Sequence, residues 1–364
     1  MSRPTLSLVM IVKNEEAGLV KCLNSAAPFV DEIIIAVDKA STDKTREIAS
    51  RFADVLKSFD WNDDFAATRN MAQDGAKGDW ILFLDGHEYI KQCEGLDEML
   101  KSPEEGLMCR IQMENGMQFN NPRIFRRNCR FVGAVHEKID AKTLKFFPKM
   151  VIQHDRAAGQ TPEAARERQQ QRNEQVPRIM GEQYRKNKKN TRATFHLGMH
   201  YVGRGEISKA LMWFRRYLKY SKEKGTRWFV NFHMALAYLA SKRFIRAGWA
   251  ARRAEKETPG RWEIQKLLGL IYFHRGQYER AAEYLCNSFY QNTGNVDFKP
   301  WPHDDAGTWN TVGECFFRLK RYDKAALAFG RAAERATDKT FKALFTKRAA
   351  LMNDLTKEQA GGRI

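Results

Sequence analysis

The densest chemistry in the chain is Asp85-Gly86-His87-Glu88, directly after the apolar run WILFL. Carboxylates at the carboxyl end of a strand, beside a flexible glycine, suit a divalent cation that bridges phosphates. The same four residues also read as a polar turn that ends a strand. Asp38 closes a second apolar run, EIIIAV, and could accept hydrogen bonds from a base or ribose. Ser41 to Asp43 behind it suit a helix N-cap. Arg69 in WNDDFAATRNMA lies on a helix-like segment from which a guanidinium could reach a diphosphate, or simply face water. In PRIFRRNCRFVGAVHEKI, Glu137 could take a proton from a hydroxyl nucleophile, and His136 beside it could bind a metal. His154, at the end of MVIQH, is a further candidate ligand, although a lone histidine is more often structural.

The elements that must position these residues follow from hydrophobic rhythm. Leu6–Val12 and residues 32–37 and 80–84 are short β-rich runs, and helix-like segments cover 15–25, 42–52 and 65–75. Strand–helix alternation builds a mostly parallel α/β sheet, whose ligands bind at the carboxyl ends of strands. Residues 13–16, 38–43 and 85–88 all follow strands, so three polar clusters are expected to converge on one crevice.

From about Thr161 the rhythm changes to helical repeats. LGMHYVGRGEISKA, LAYLASKRFIRA, LGLIYFHRGQYERA and VGECFFRLKRYDKA each place an aromatic nine residues before an alanine, at Tyr201/Ala210, Tyr238/Ala247, Tyr272/Ala281 and Phe316/Ala325. The alanines recur at intervals of 37, 34 and 44 residues, scattered about the roughly 34-residue period of tetratricopeptide repeats. Small residues there let paired helices approach closely. The long last interval absorbs NTGNVDFKPWPHDD, expected to be a loop.

Charge divides the chain in the same way. Residues 1–150 carry 21 Lys+Arg against 23 Asp+Glu, and the totals of 62 and 44 leave 41 against 21 for the remainder, so −2 against +20. Such asymmetry points to a polyanionic partner for the second half. Six cysteines without a CxxC pair argue against a zinc site or a disulfide framework, and no apolar run approaches membrane-span length. The N-terminus reads as a first strand rather than a signal peptide. Together these give an expectation of a cytoplasmic protein with reduced thiols.

LSLVMIVKNEE, EIIIAVDKASTDKTREIA, FDWNDDFAATRNMA, GDWILFLDGHEYI and RIFRRNCRFVGAVHEKI, in that order, resemble family 2 glycosyltransferases of the GT-A fold, in the branch with a tetratricopeptide tail. The resemblance implies a nucleotide-sugar domain over 1–156, a basic helical connector over 157–191 and a repeat solenoid over 192–364. It implies that Glu16 and Asp38 contact the nucleoside and that Arg69 lies near the base or diphosphate. Asp85 to Glu88 occupy the place of the family's Asp-x-Asp metal motif, with His87 where the second aspartate belongs. That swap puts Mn²⁺ or Mg²⁺ dependence in question, with Glu88 a possible substitute. His136, His87 and His154 are the implied metal ligands, Glu137 the base, and a UDP-hexose the donor. The expected reaction is a single in-line displacement with inversion.

Basic residues crowd 166–192, and Arg185, Lys186, Lys188 and Lys189 are expected to hold the acceptor. Phosphate neutralisation makes DNA the first acceptor to consider, with sugar moved to a hydroxymethylated base as in virus-type DNA modification. Trp213, Phe214, Trp228 and Trp249 could stack on a displaced base. A peptide side chain or a lipid-linked saccharide is the alternative acceptor. A repeat scaffold that binds nucleotide sugar without turnover is the alternative from another class.

Overall fold

The computed structural model describes residues 3–114, 116–156, 162–290 and 305–362. Contacts divide the chain into two units, Met1–Ile179 and Met180–Ile364.

The first unit is built on an eight-stranded sheet. Its strands are β1 (Leu6–Val12), β2 (Glu32–Asp38), β3 (Val55–Phe59), β4 (Trp80–Phe83), β5 (Glu88–Cys93), β6 (Gly106–Met113), β7 (Gln118–Arg126) and β10 (Leu144–His154), in the order β3-β2-β1-β4-β7-β6-β10-β5. β8 (Phe131–Val132) and β9 (Lys138–Ile139) pair separately. The sheet is parallel from β3 to β4 and mixed beyond, because β7 runs antiparallel to both β4 and β6. Its helices are α1 (Glu16–Ala26), α2 (Thr45–Phe52), α3 (Phe65–Gln73) and the short α4 (Leu96–Leu100).

Alternation along β1 feeds two cores. Leu6, Leu8, Met10 and Val12 pack with Leu19, Cys22 and Leu23 of α1, whereas Val9 packs with Ala66 and Ala72 of α3. Burial on both faces explains why these strands read as near-continuous apolar runs. The chain passes from β1 to β2 to β3 and then crosses back to β4 on the other side of β1. The carboxyl ends of β1 and β4 therefore flank the point where strand order reverses, the place where such sheets open a crevice.

The second unit is helical. α5 (Pro162–Lys186) spans the division between the units. It is followed by α6 (Thr191–Gly203) with α7 (Ile207–Tyr220), α8 (Lys224–Ala240) with α9 (Phe244–Glu257), α10 (Trp262–His274) with α11 (Tyr278–Tyr290), α12 (Ala306–Arg318) with α13 (Tyr322–Arg335), and α14 (Lys339–Ala360). Ala210, Ala247, Ala281 and Ala325 each lie in the second helix of a pair, fully buried. Close approach is visible one layer further in. A Cβ at Gly198 would lie 2.3 Å from Phe214, at Gly269 2.5 Å from Leu285, and at Gly313 2.7 Å from Phe329. In the α8–α9 pair the equivalent residues are Ala235 and Ala251, both fully buried. A large side chain against glycine in three pairs becomes two small ones in the fourth. The tight turn inside each pair puts one residue in the left-handed region five positions before the alanine: Gly205, Lys242, Gly276 and Lys320.

The expected loop over 292–305 lies outside the described residues except for Asp305, which caps α12 by accepting from the Thr308 amide at 2.8 Å. No described helix is long and apolar enough to cross a membrane.

Candidate active site

Asp85 leaves the end of β4 and meets Arg69 from α3, whose Nη2 lies 3.3 Å from Asp85 Oδ1 and 2.8 Å from Glu137 Oε1. One guanidinium nitrogen thus joins three motifs that are far apart in sequence. Arg69 is itself held over the Phe83 ring, 3.8 Å from its centroid, and is nearly enclosed. A cation fixed in an apolar slot loses little rotamer freedom when it binds an anion.

A second cation completes the cluster. Arg123 on β7 places Nη2 2.6 Å from Glu88 Oε1 and 3.9 Å from Asp85 Oδ2. Burial opposes ionisation of Asp85, but the charges of Arg69 and Arg123 hold its carboxyl well below the usual carboxylate range. Glu88 is 0% exposed. Its Oε1 also faces His154 Nδ1 at 3.3 Å, and its Oε2 accepts from the Asp85 amide at 3.0 Å. His154 stands opposite Glu88 in the β10–β5 register. Glu88 therefore fixes Arg123, His154 and the 85–88 turn, and it cannot substitute for the missing aspartate, because it never reaches open space.

His87 turns the other way. Its Nδ1 lies 3.1 Å from Glu15 Oε1, and a carboxylate there accepts from an Nδ1–H. The His87 ring stands edge-on to His154, with centroids 4.6 Å apart. Two glycines permit this packing: a Cβ at Gly86 would meet Glu15 at 2.8 Å, and one at Gly18 would meet the Gly86 carbonyl at 2.9 Å. His136 has φ of 54° and stays exposed on the turn that delivers Glu137 inward. Cys22 donates to the Asp85 carbonyl at 3.6 Å; burial and then the nearby Glu88 push its thiol well up, away from nucleophile chemistry.

A divalent cation would meet mixed ground here. His87 Nε2 is buried without a hydrogen-bond partner, an orphan that a metal would satisfy. Glu88 is enclosed, and a cation on Asp85 would compete with two guanidiniums on the same carboxylate. Among the described residues no three His, Cys, Asp or Glu side chains group to hold a metal. In this arrangement the set expected from His87, His136 and His154 does not fit a protein-held metal.

The loop after β2 is strapped to the loop after β1. The Thr42 amide donates to Asn14 Oδ1 at 2.9 Å, the Lys44 amide to Glu16 Oε2 at 2.8 Å, and the Glu16 amide to Asp43 Oδ2 at 3.0 Å. The expected cap at Ser41 to Asp43 is displaced: α2 starts at Thr45, and Asp43 ties the starts of two helices together. Asp38 is buried, with Lys13 Nζ 3.2 Å from its Oδ2. Glu16 is exposed, and its Oε2 is the oxygen that holds the Lys44 amide. Sequence reasoning missed Glu15 and Arg123. Glu15 had an available signal in the KNEE run, whereas Arg123 is one of several arginines that only strand register distinguishes.

In the second unit, Arg185, Lys186, Lys188 and Lys189 are exposed, with Arg185 3.8 Å from Glu182 and Lys188 over Tyr184 at 4.6 Å. The four aromatics fare differently. Phe214 and Trp228 are buried, Trp213 packs edge-on against Tyr184 at 5.0 Å, and Trp249 alone of the four is open.

Residues 7–155 match the profile of glycosyl transferase family 2, and residues 232–295 match a tetratricopeptide repeat profile. A TPR repeat-containing protein of Synechococcus elongatus is 31% identical over 254 residues, 64% of this chain and 61% of that one. The SPbeta prophage-derived glycosyltransferase SunS of Bacillus subtilis is 33% identical over 147 residues, 37% of this chain and 35% of that one. An uncharacterized glycosyltransferase of Haemophilus influenzae is 34% identical over 99 residues, 25% of this chain and 39% of that one. The chain therefore spans from about a third to three fifths of these curated relatives. Among solved structures, MamA aligns with a TM-score of 0.39 and 16% identity over 48% of this chain and 95% of that one. On the profile matches, residues 7–155 are a glycosyl transferase family 2 domain, carried in one chain with tetratricopeptide repeats.

Proposed function

We propose that the first unit transfers a sugar from a nucleoside diphosphate, a UDP-hexose, to a nucleophile with inversion at the anomeric carbon. The observation that carries this reading is the shared Arg69 nitrogen, 2.8 Å from Glu137 and 3.3 Å from Asp85. It joins a candidate base to the carboxylate just beyond the end of β4. In the reaction Glu137 accepts the proton of the acceptor hydroxyl or thiol, whose lone pair forms the new bond to the anomeric carbon. The bond from that carbon to the diphosphate oxygen breaks, and its electron pair leaves with the nucleotide. Arg69 and Arg123 are the cations available to neutralise the leaving group. Glu16 is the exposed carboxylate available to the nucleoside, with the buried Asp38, paired with Lys13, behind it.

Glu137→Gln tests the reading. UDP binding by calorimetry stays near wild type, while sugar release and transfer fall by about 100-fold or more. Retained turnover removes Glu137 from its role. A wild-type protein that binds UDP and releases no sugar returns the scaffold reading.

The +20 of residues 151–364 supports a polyanionic acceptor. DNA carrying hydroxymethylated bases is the reading that charge alone favours, and steeply salt-dependent binding of duplex and single strands is its test. The burial of Phe214 and Trp228 removes two of its four stacking platforms and so favours the second reading, a side chain on an anionic polypeptide.

A further inference from the structure

The repeat unit contains a groove of about 660 Å³ that the reading of the first unit leaves unused. Three successive helices line it with stripes at helical spacing. Six cations border it: Arg215 and Lys219 on α7, Arg227 on α8, and Arg246, Arg253 and Lys256 on α9. The one acid is Glu257, which is already committed to Arg227, with Oε1 2.9 Å from Nε. Arg227 also donates to the carbonyls of Leu218 and Ser221, at 3.0 and 2.7 Å, so it is part of the frame. Among the described residues, no ion pair engages Arg215, Lys219, Arg246, Arg253 or Lys256. Arg215 is aimed by the Tyr238 hydroxyl, which accepts from its Nη2 at 2.9 Å. Trp249 rises among these cations with 62% of its surface exposed, above a floor that includes Met234 and the buried Asn231.

Unpaired cations held close together repel one another, and a bare indole keeps apolar surface in water. One ligand relieves both if it carries several anions around an apolar group. We propose that this groove docks an extended acidic segment of a polypeptide, its carboxylates on Lys219, Arg246, Arg253 and Lys256 and one apolar side chain on Trp249. A nucleic acid strand would call for successive stacking platforms, and the groove supplies one. The inference rests on the polypeptide-acceptor reading above, but it is tested by binding alone, so its failure and that of sugar transfer are read separately.

The test uses the full chain and a fluorescein-labelled peptide of about ten residues, long enough when extended to cross three helices. The peptide is Asp/Glu-rich with one central leucine. Controls are the same peptide with Asn/Gln for Asp/Glu, and a thymidine oligonucleotide. Anisotropy at low salt gives a micromolar-range Kd for the acidic peptide and none for the neutral one. Trp249→Ala and the pair Arg246→Glu with Arg253→Glu each weaken binding by at least about tenfold. All three positions are exposed, and unchanged melting curves verify folding. The proposal is overturned if the acidic peptide does not bind, or if both variants bind it as wild type does. It is equally overturned if the oligonucleotide binds more tightly than the peptide and loses affinity in the same variants.

Discussion

At the scale of single residues, the candidate site is organised by what Asp85 touches. In an arrangement built around a metal, a strand-end aspartate would present a bare carboxylate to the ion; here Arg69 and Arg123 already flank it at 3.3 and 3.9 Å. The expected consequence is that chelation with EDTA changes UDP affinity by less than about threefold, measured by calorimetry with and without added Mn²⁺. A loss of tenfold or more on chelation would mean that the guanidiniums move aside and His87 Nε2 takes a ligand's part. The candidate site is only partly legible in the sequence. Arg69, Asp85 and Glu137 are singled out by the resemblance of the motifs around them to a family; taken alone, Arg69 reads equally as a solvated helix charge and Asp85 as part of a strand-ending turn. Arg123 is not singled out, because PRIFRR offers three arginines, and each takes a different course. Arg126 donates to the Ser102 carbonyl at 2.6 Å and Arg127 to the Ala76 carbonyl at 3.2 Å. What brings Arg123 to Asp85 is the pairing of Leu82 with Ile124, a register that no local pattern encodes.

At the scale of elements, the strands that read well are those buried on both faces. β1 is met residue for residue, and β2 and β4 end within one residue of their expected limits. β3, β5, β6, β7 and all but the end of β10 are not marked by local pattern, because their faces mix exposed and buried residues and long-range pairing sets their limits. In the repeats, the tightest contacts involve glycines, so Gly313→Ala forces its methyl into Phe329 and is expected to destabilise by roughly 1 to 3 kcal/mol. Urea unfolding measures this, and a neutral result would mean that α12 and α13 can separate freely. A pH effect belongs to α8. His233 packs against Phe229 with ring centroids 4.3 Å apart, and burial lowers its pKa to about 4. The unfolded chain then binds a proton near pH 6.5 that the folded one refuses until about pH 4. Stability is therefore full above pH 6.5 and declines as pH falls, by about 3 kcal/mol at the lower end. His233→Phe should flatten that dependence in denaturation curves from pH 7 to 4; an unchanged slope assigns the acid sensitivity elsewhere.

At the scale of the whole molecule, charge is the dominant asymmetry, −2 for residues 1–150 against +20 for the rest. A surplus of this size repels itself, and salt relieves the repulsion. Raising ionic strength from about 10 to about 150 mM shortens the Debye length from about 30 to about 8 Å. The melting temperature of the repeat unit in the full chain is expected to rise by a few degrees, read by calorimetry, and an unchanged value would mean that its cations are already dispersed. The repeats carry another record in their paired positions. Phe214 needs Gly198 and Phe329 needs Gly313, while Ala235 and Ala251 satisfy each other. If the pairs descend from one duplicated hairpin, neither partner could have changed first without leaving a clash or a void. The repeats must have diverged by compensated steps, which makes each hairpin a unit of inheritance. Transplanting one helix alone between repeats should fail where moving the two together succeeds.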